Sequence, residues 1–216
     1  DVAIVEIGGT VGDIESLPFL EAVRQLRHEV GPQNSVSVHV TLVPYIAAAS
    51  ELKTKPTQHS VKELRGIGIQ PEILLCRSDR PIARSVKEKI AHFCNVPVSA
   101  VIACPDVPTI YELPIALHAE KCDDQIADKL NIWSRPPDLS AWQRVVDVTK
   151  NPPRGTLEIA LVGKYVNLRD SYKSLHEALA HGAIAHEARI EVRYVDSESI
   201  TADNVERELG SCDAIL

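Results

Sequence analysis

The sequence has no methionine, and no stretch of it reads as a signal peptide. The uncharged run Ser35 to Ser50 carries His39 and Pro44 and falls short of the roughly 20 apolar residues of a membrane span, so no membrane partner is expected. Basic side chains are the minority, 23 against 30 acidic, and the net charge of −7 argues against a nucleic-acid surface while leaving room for a local anion site. The five cysteines, Cys76, Cys94, Cys104, Cys122 and Cys212, form no CxxC pair and have no histidine at ligand spacing. That excludes a zinc site or a disulfide framework and points to free thiols in a reducing, cytoplasmic compartment. The phosphate loop G-x-x-x-x-G-K-[ST] is absent, as is the G-x-S-x-G elbow of an esterase-type nucleophile.

What is present is an ordinary globular balance, 44% apolar and 25% charged over 216 residues, enough to bury a core without metal or disulfide staples. Short apolar, β-branched runs predict strands at Val2–Ile7, Val36–Val43, Glu72–Cys76, Ala100–Ala103, Glu158–Val162, Arg189–Val195 and Asp213–Leu216. Helix spacing appears between them: Leu17, Leu20 and Val23; Val86, Ile90 and Phe93; Tyr172, Leu175 and Leu179. Strands alternating with helices mean βαβ units and a mostly parallel sheet, hence an α/β fold. Pro136-Pro137 and Pro152-Pro153 flank one amphipathic stretch and suggest a linker, with a boundary near residue 152. The remaining 60 or so residues are too few for a doubly wound sheet and are expected to continue beyond Leu216. With no methionine and apolar strand patterns at both ends, the chain reads as an internal piece of something longer.

Five segments could carry chemistry. In Glu6-Ile-Gly-Gly-Thr-Val-Gly-Asp-Ile-Glu-Ser16 an apolar run ends in a carboxylate and a glycine-rich turn enters a helix. There glycines let backbone approach phosphates, a strand-tip Glu6 suits Mg²⁺, and Asp13 and Glu15 could accept ribose hydroxyls. The plainer reading is a tight turn with Asp13 or Ser16 capping the helix. Lys53-Thr-Lys-Pro-Thr-Gln-His-Ser60 combines two lysines, hydroxyls and a stiffening proline, apt for a triphosphate or simply a solvated loop. Cys76-Arg-Ser-Asp-Arg80 follows a strand and offers either an anion site or internal ion pairs. Cys104-Pro-Asp-Val107 could read an adenine or ribose edge, or be an Asp turn. Val162-Gly-Lys-Tyr165, with Asp170 to Ser174, reads best as a capped helix after a strand. Four of the five sit at predicted strand ends of the first part, where one crevice could gather them for nucleotide and Mg²⁺ chemistry.

Taken in order, these segments, together with Phe93-Cys-Asn-Val-Pro97, closely resemble the CTP synthase family along essentially all 216 residues. The resemblance implies a P-loop-NTPase-like amidoligase domain over residues 1–133 that lacks its phosphate loop. A linker over 134–155 and the first part of a class I glutamine amidotransferase α/β domain over 156–216 would follow. It implies ATP-dependent amination of UTP to CTP, with glutamine or ammonia as nitrogen donor, through a 4-phosphorylated uracil. By resemblance Glu6 is a Mg²⁺ ligand. Asp13, Ile14, Glu15, Lys53, Thr54, Lys55, Pro56, Thr57, Gln58 and Lys89 contact UTP or, in feedback inhibition, CTP, and Asp106 and Val107 contact ATP. Pro105 stands where the family often has lysine and offers neither charge nor N–H. GTP as activator and a cytoplasmic homotetramer are implied too. No residue of the glutaminase triad is present, so these residues alone are expected to be inactive. Two alternatives stay open: a related ATP-dependent amidoligase, against which the Lys53–Ser60 loop speaks, and a CTP-binding regulatory or assembly module.

Overall fold

The computed structural model describes residues 2–133 and 135–216. Asp1, the first residue of the N-terminal apolar pattern, and Ser134, where the linker is expected to begin, lie outside the described residues. The chain divides into two compact units, Asp1–Pro137 and Asp138–Leu216.

The first unit runs α1 (Leu17–Val30), β1 (Val38–Leu42), β2 (Tyr45–Ile46), β3 (Glu51–Leu52), α2 (Lys55–Gly66), β4 (Ile73–Ser78), α3 (Arg84–Cys94), β5 (Val101–Pro105), α4 (Leu113–Ala119) and α5 (Cys122–Lys129). Strands β1, β4 and β5 form a parallel sheet in the order β1-β4-β5, with Val40 opposite Leu75 and Leu75 opposite Ile102. β4 is the middle strand and has helices on both faces, which is why its sequence is apolar without alternation. On one face Leu74 and Cys76 join Val61 of α2, Ile90 and Cys94 of α3, and Val43 and Val101. On the other, Ile73 and Ile102 meet Cys122 of α5, with Leu117 and Ile126 against them. Fully burying a side chain such as Ile90 contributes about 2–3 kcal/mol, so replacing it by alanine would cost about 2–5 kcal/mol. Helix ends follow local chemistry: Pro56 sits in the first turn of α2, and Asn95, at φ 57°, closes α3 with its N–H on Ala91 O.

The second unit carries α6 (Ser140–Lys150), β6 (Thr156–Gly163), α7 (Lys173–Ala185), β7 (Arg189–Asp196), α8 (Val205–Leu209) and β8 (Ala214–Ile215). Its parallel sheet has the order β7-β6-β8. Helix α6 lies within the proline-flanked segment 134–155 and belongs to this unit. Arg189 donates to the Thr149 carbonyl at 3.0 Å, and Arg144 pairs with Glu187 at 2.6 Å.

One expectation fails, and one helix face is more exposed than its spacing alone would suggest. The segment Val2–Ile7 is not a strand. Val2, Ile4 and Val5 are 60%, 94% and 76% exposed. An extended segment without a hydrogen-bonded neighbour gains neither ladder bonds nor burial, so its apolar pattern alone does not make a strand. Phe93 completes the helical spacing of α3 but is 54% exposed, while Ile90 is fully buried. The helix turns Phe93 toward the start of α2, where the Lys55 ammonium lies 5.8 Å from its ring centroid.

Candidate functional site at the carboxyl edge of the first sheet

β1 delivers the chain to the edge where parallel α/β sheets hold ligands. Val43 N–H donates to Arg77 O at 2.8 Å, tying the end of β1 to β4. The chain then makes the β2–β3 hairpin, and Lys53 N–H returns to Pro44 O at 2.9 Å. Helix α2 starts immediately afterwards, so the positive end of its dipole and the lysines beside it share one place.

From Lys55 onward this segment is the first turns of α2 and not the loop its composition suggests, and its side chains divide sharply. Thr57 is fully buried: its hydroxyl donates to the Leu42 carbonyl at 3.1 Å and lies 3.1 Å from the Thr41 hydroxyl. Thr54 is 5% exposed and accepts Gln58 Nε2 at 3.0 Å. These side chains build the loop and face away from solvent. Lys55 and Pro56 are exposed, and Lys53 is half-buried in an ion pair with Glu51. Lys89 of α3 lies close enough for its charge to act on Glu51. The structure thus gathers Lys53, Lys55 and Lys89 around one patch. Burial of Thr57 was legible, since Thr57, Val61 and Leu64 follow helical spacing and all are buried.

The ends of β4 and β5 meet beside it. Arg77 donates to Asp106 at 2.9 Å, and Asp106 N–H donates to Ser78 O at 3.0 Å. Arg80 reaches both oxygens of Asp79, at 3.0 and 2.9 Å, and holds that carboxyl below its usual range. The Arg80 guanidinium also lies 3.3 Å from the centroid of the Tyr45 ring. Both arginines are therefore engaged by carboxylates, and Asp106 and Val107 sit where β5 leaves the sheet. Tyr45 and Glu51 were not anticipated. For Tyr45 the sequence holds no signal, because Arg80 is brought to it by strand pairing; for Glu51 the spacing of two from Lys53 within an extended segment is one.

The glycine-rich segment lies elsewhere. Thr10 N–H donates to Asp13 Oδ2 at 2.9 Å, and Asp13 N–H returns to Thr10 O at 3.0 Å. Gly9 and Gly12, at φ 82° and 104°, supply the left-handed conformations this turn requires. Asp13 therefore closes its own turn, and neither it nor Ser16 places a side chain as helix cap; Ser16 Oγ donates to Asp13 O at 2.9 Å. Glu6 and Glu15 line a largely apolar groove of about 600 Å³ against Phe19 and Leu26 of α1, and Ile14 is 84% exposed.

Ile7, Val11 and Val23 pack on Leu20, Leu64 and Ile69, at the C-terminal end of α2. That end is about 15–18 Å from the lysine-bearing start of the helix, at 1.5 Å per residue. Among the described residues no hydrogen bond or ion pair joins residues 2–16 to Lys53–Gln58, Lys89 or Asp106, and no group of three or more His, Cys, Asp or Glu could hold a metal. Three of the four segments expected together lie along this sheet edge, and the first packs toward the far end of α2. Glu6, an exposed single carboxylate, has the hard-oxygen chemistry Mg²⁺ takes, and such ions are commonly held by one or two carboxylates plus phosphates and water.

In the second unit, Tyr172 donates to Lys164 O at 2.5 Å and its hydroxyl fills the space beside Gly163. Lys164 pairs with Glu198 at 3.4 Å, and His176 stacks on Tyr194 at 6.3 Å between centroids.

The family model for the CTP synthase N-terminus matches residues 1–132. The CTP synthase of Pelobacter propionicus is 59% identical over 216 residues, and those of Trichlorobacter lovleyi and Geobacter metallireducens are 58% identical over the same span. In each case the match covers all of this chain and 40% of the relative's length.

Proposed function

The chain belongs to the CTP synthase family, and from that premise we propose that it forms part of a ligase that aminates UTP to CTP at the expense of ATP. The observation that carries this is the patch at the carboxyl edge of the first sheet, where Lys53, Lys55 and Lys89 meet the start of α2. Charge of that density at a helix start suits a nucleoside triphosphate. Asp106 and Val107, at the next strand end, would take ATP, with Arg77 beside them.

Transfer of the γ-phosphoryl group to the 4-oxygen of uracil leaves ADP, and attack of ammonia at C4 then expels phosphate. Such transfer depends on charge neutralisation and positioning. Mg²⁺, when bound with Glu6 as a ligand, would supply part of that neutralisation. The lysines would hold the UTP triphosphate, or that of CTP in feedback inhibition. Thr54, Pro56, Thr57 and Gln58 shape the start of α2 that carries the lysines.

Asp13, Ile14 and Glu15, the remaining pyrimidine-nucleotide residues of the family pattern, lie between Val11 and Leu20, and it is those two that pack at the opposite end of α2. One copy would therefore supply the lysine patch and another the Asp13–Glu15 turn, which makes the enzyme a homo-oligomer, a tetramer by family likeness. The exposed Ile14 and Phe19 beside that turn suit a subunit contact. We assign residues 1–133 to the amidoligase domain, 134–155 to a linker and 156–216 to the start of a glutamine amidotransferase domain. Glutamine would be the nitrogen source, GTP the activator and the cytoplasm the compartment.

The test is ammonia-dependent CTP formation by the full-length protein with Mg-ATP. Hydrogen bonds to charged groups are worth about 1.5–3 kcal/mol, so Lys53→Ala should lower kcat/KM for UTP by about ten- to a hundredfold. Glu6→Ala should abolish turnover. A wild-type protein that leaves UTP unchanged overturns the reading.

A further inference from the structure

The lysine patch carries its own anion. Glu51 is the last-but-one residue before Lys53, and the β2–β3 hairpin presents both on one side of an extended segment: Tyr45 pairs Leu52, Ile46 pairs Glu51, and Lys53 N–H is fixed on Pro44 O at 2.9 Å. Ser50, at φ 50°, makes the turn that brings Glu51 back along β2. The hairpin is seated by Tyr45, whose ring lies under Arg80. On this seat the Glu51 carboxylate ion-pairs with Lys53 and feels the charge of Lys89 from α3. Glu51 thus lies where the patch would receive phosphate, and both partners are open to solvent, 39% exposed for Lys53 and 59% for Glu51.

We propose that Glu51 is an internal counter-ion for Lys53, standing where phosphate oxygens would meet the patch and giving way to an incoming triphosphate. This rests on the nucleotide reading above and goes beyond it by assigning a residue that weakens binding. The physical consequence is a sign. An anion held beside Lys53 must be displaced before phosphate oxygens take its place, and it repels the remaining phosphate charge while it stays near. Solvent-exposed pairs are weak, so the penalty is modest: removing the charge should tighten triphosphate binding by about two- to fivefold. A carboxylate whose job was to orient Lys53 would give the opposite result, since its loss would leave the ammonium free to wander and binding would weaken.

The experiment uses the full-length protein and its Glu51→Gln and Glu51→Asp variants. Calorimetric binding of inorganic tripolyphosphate reads the patch without reference to any reaction, and ammonia-dependent CTP formation gives KM for UTP and inhibition by CTP. The expected result is tighter tripolyphosphate binding, lower KM for UTP and stronger CTP inhibition in Glu51→Gln. KM for ATP should hold, and Glu51→Asp should behave as wild type because it keeps the charge. Unchanged or weaker tripolyphosphate binding in Glu51→Gln overturns the proposal even if wild type makes CTP. Tighter tripolyphosphate binding in a protein that does not convert UTP keeps the counter-ion and overturns the nucleotide reading instead.

Discussion

Thr57 separates what family likeness implies from what the fold allows. Its place in the Lys53–Gln58 segment suggests a hydroxyl that touches nucleotide, yet the side chain is fully buried and its hydroxyl donates to Leu42 O at 3.1 Å, beside Thr41. Thr57→Val keeps the shape and removes the donor. The carbonyl at the end of β1 then faces a methyl group, and leaving a buried acceptor unpaired costs about 1–3 kcal/mol. For a unit of about 150–250 residues each kcal/mol moves Tm by about 2–4 °C, so in the full-length protein unfolding of this unit should come roughly 2–12 °C earlier. In the same preparation, KM for UTP in the ammonia assay should rise by less than about threefold at temperatures where the fold holds, far less than for Lys53→Ala. Thr57→Ser, which retains the hydroxyl, should recover much of the lost Tm. Unchanged Tm together with a tenfold rise in KM would refute the reasoning, because it would mean the hydroxyl faces ligand.

Two further predictions concern titrating groups. His39 is buried on β1 with its Nε2 2.8 Å from Ser60 Oγ, and burial holds its pKa below 6.5. Because the unfolded chain takes up this proton first, the stability contributed by neutral His39 is complete above about pH 6.5 and is lost as pH falls toward the folded pKa. Tm measured from pH 8 to 5 should therefore fall less steeply in His39→Gln, and parallel curves would remove His39 as the cause. Burial pushes the thiols of Cys76 and Cys94 up to about 11, so at neutral pH iodoacetamide should modify the half-exposed Cys104 and Cys212 first. Peptide mapping that finds Cys76 or Cys94 labelled as fast as Cys212 would contradict the packing around β4.

The sequence by itself determined the α/β alternation, because six of seven apolar runs become strands and the spacings at Leu20, Ile90 and Leu175 fall on helices. It also supplied the chemistry of the lysine loop and the family to which the chain belongs. Those are local properties: periodicity reports which side of an element is apolar, and composition reports which charges lie close along the chain. What covers that side is not local. Whether Val2–Ile7 finds a strand beside it, and whether Phe93 meets the core or Lys55, depends on partners far away in sequence. The same holds for the site. Helical register against β1 took the hydroxyl of Thr57 away from solvent, strand pairing set Arg77 on Asp106, and the length of α2 put the Asp13–Glu15 turn and the lysines at opposite ends. Only the packed structure shows which polar groups are already spent on the fold and which are left for a ligand, since a hydrogen bond satisfied inside the protein is no longer available outside it.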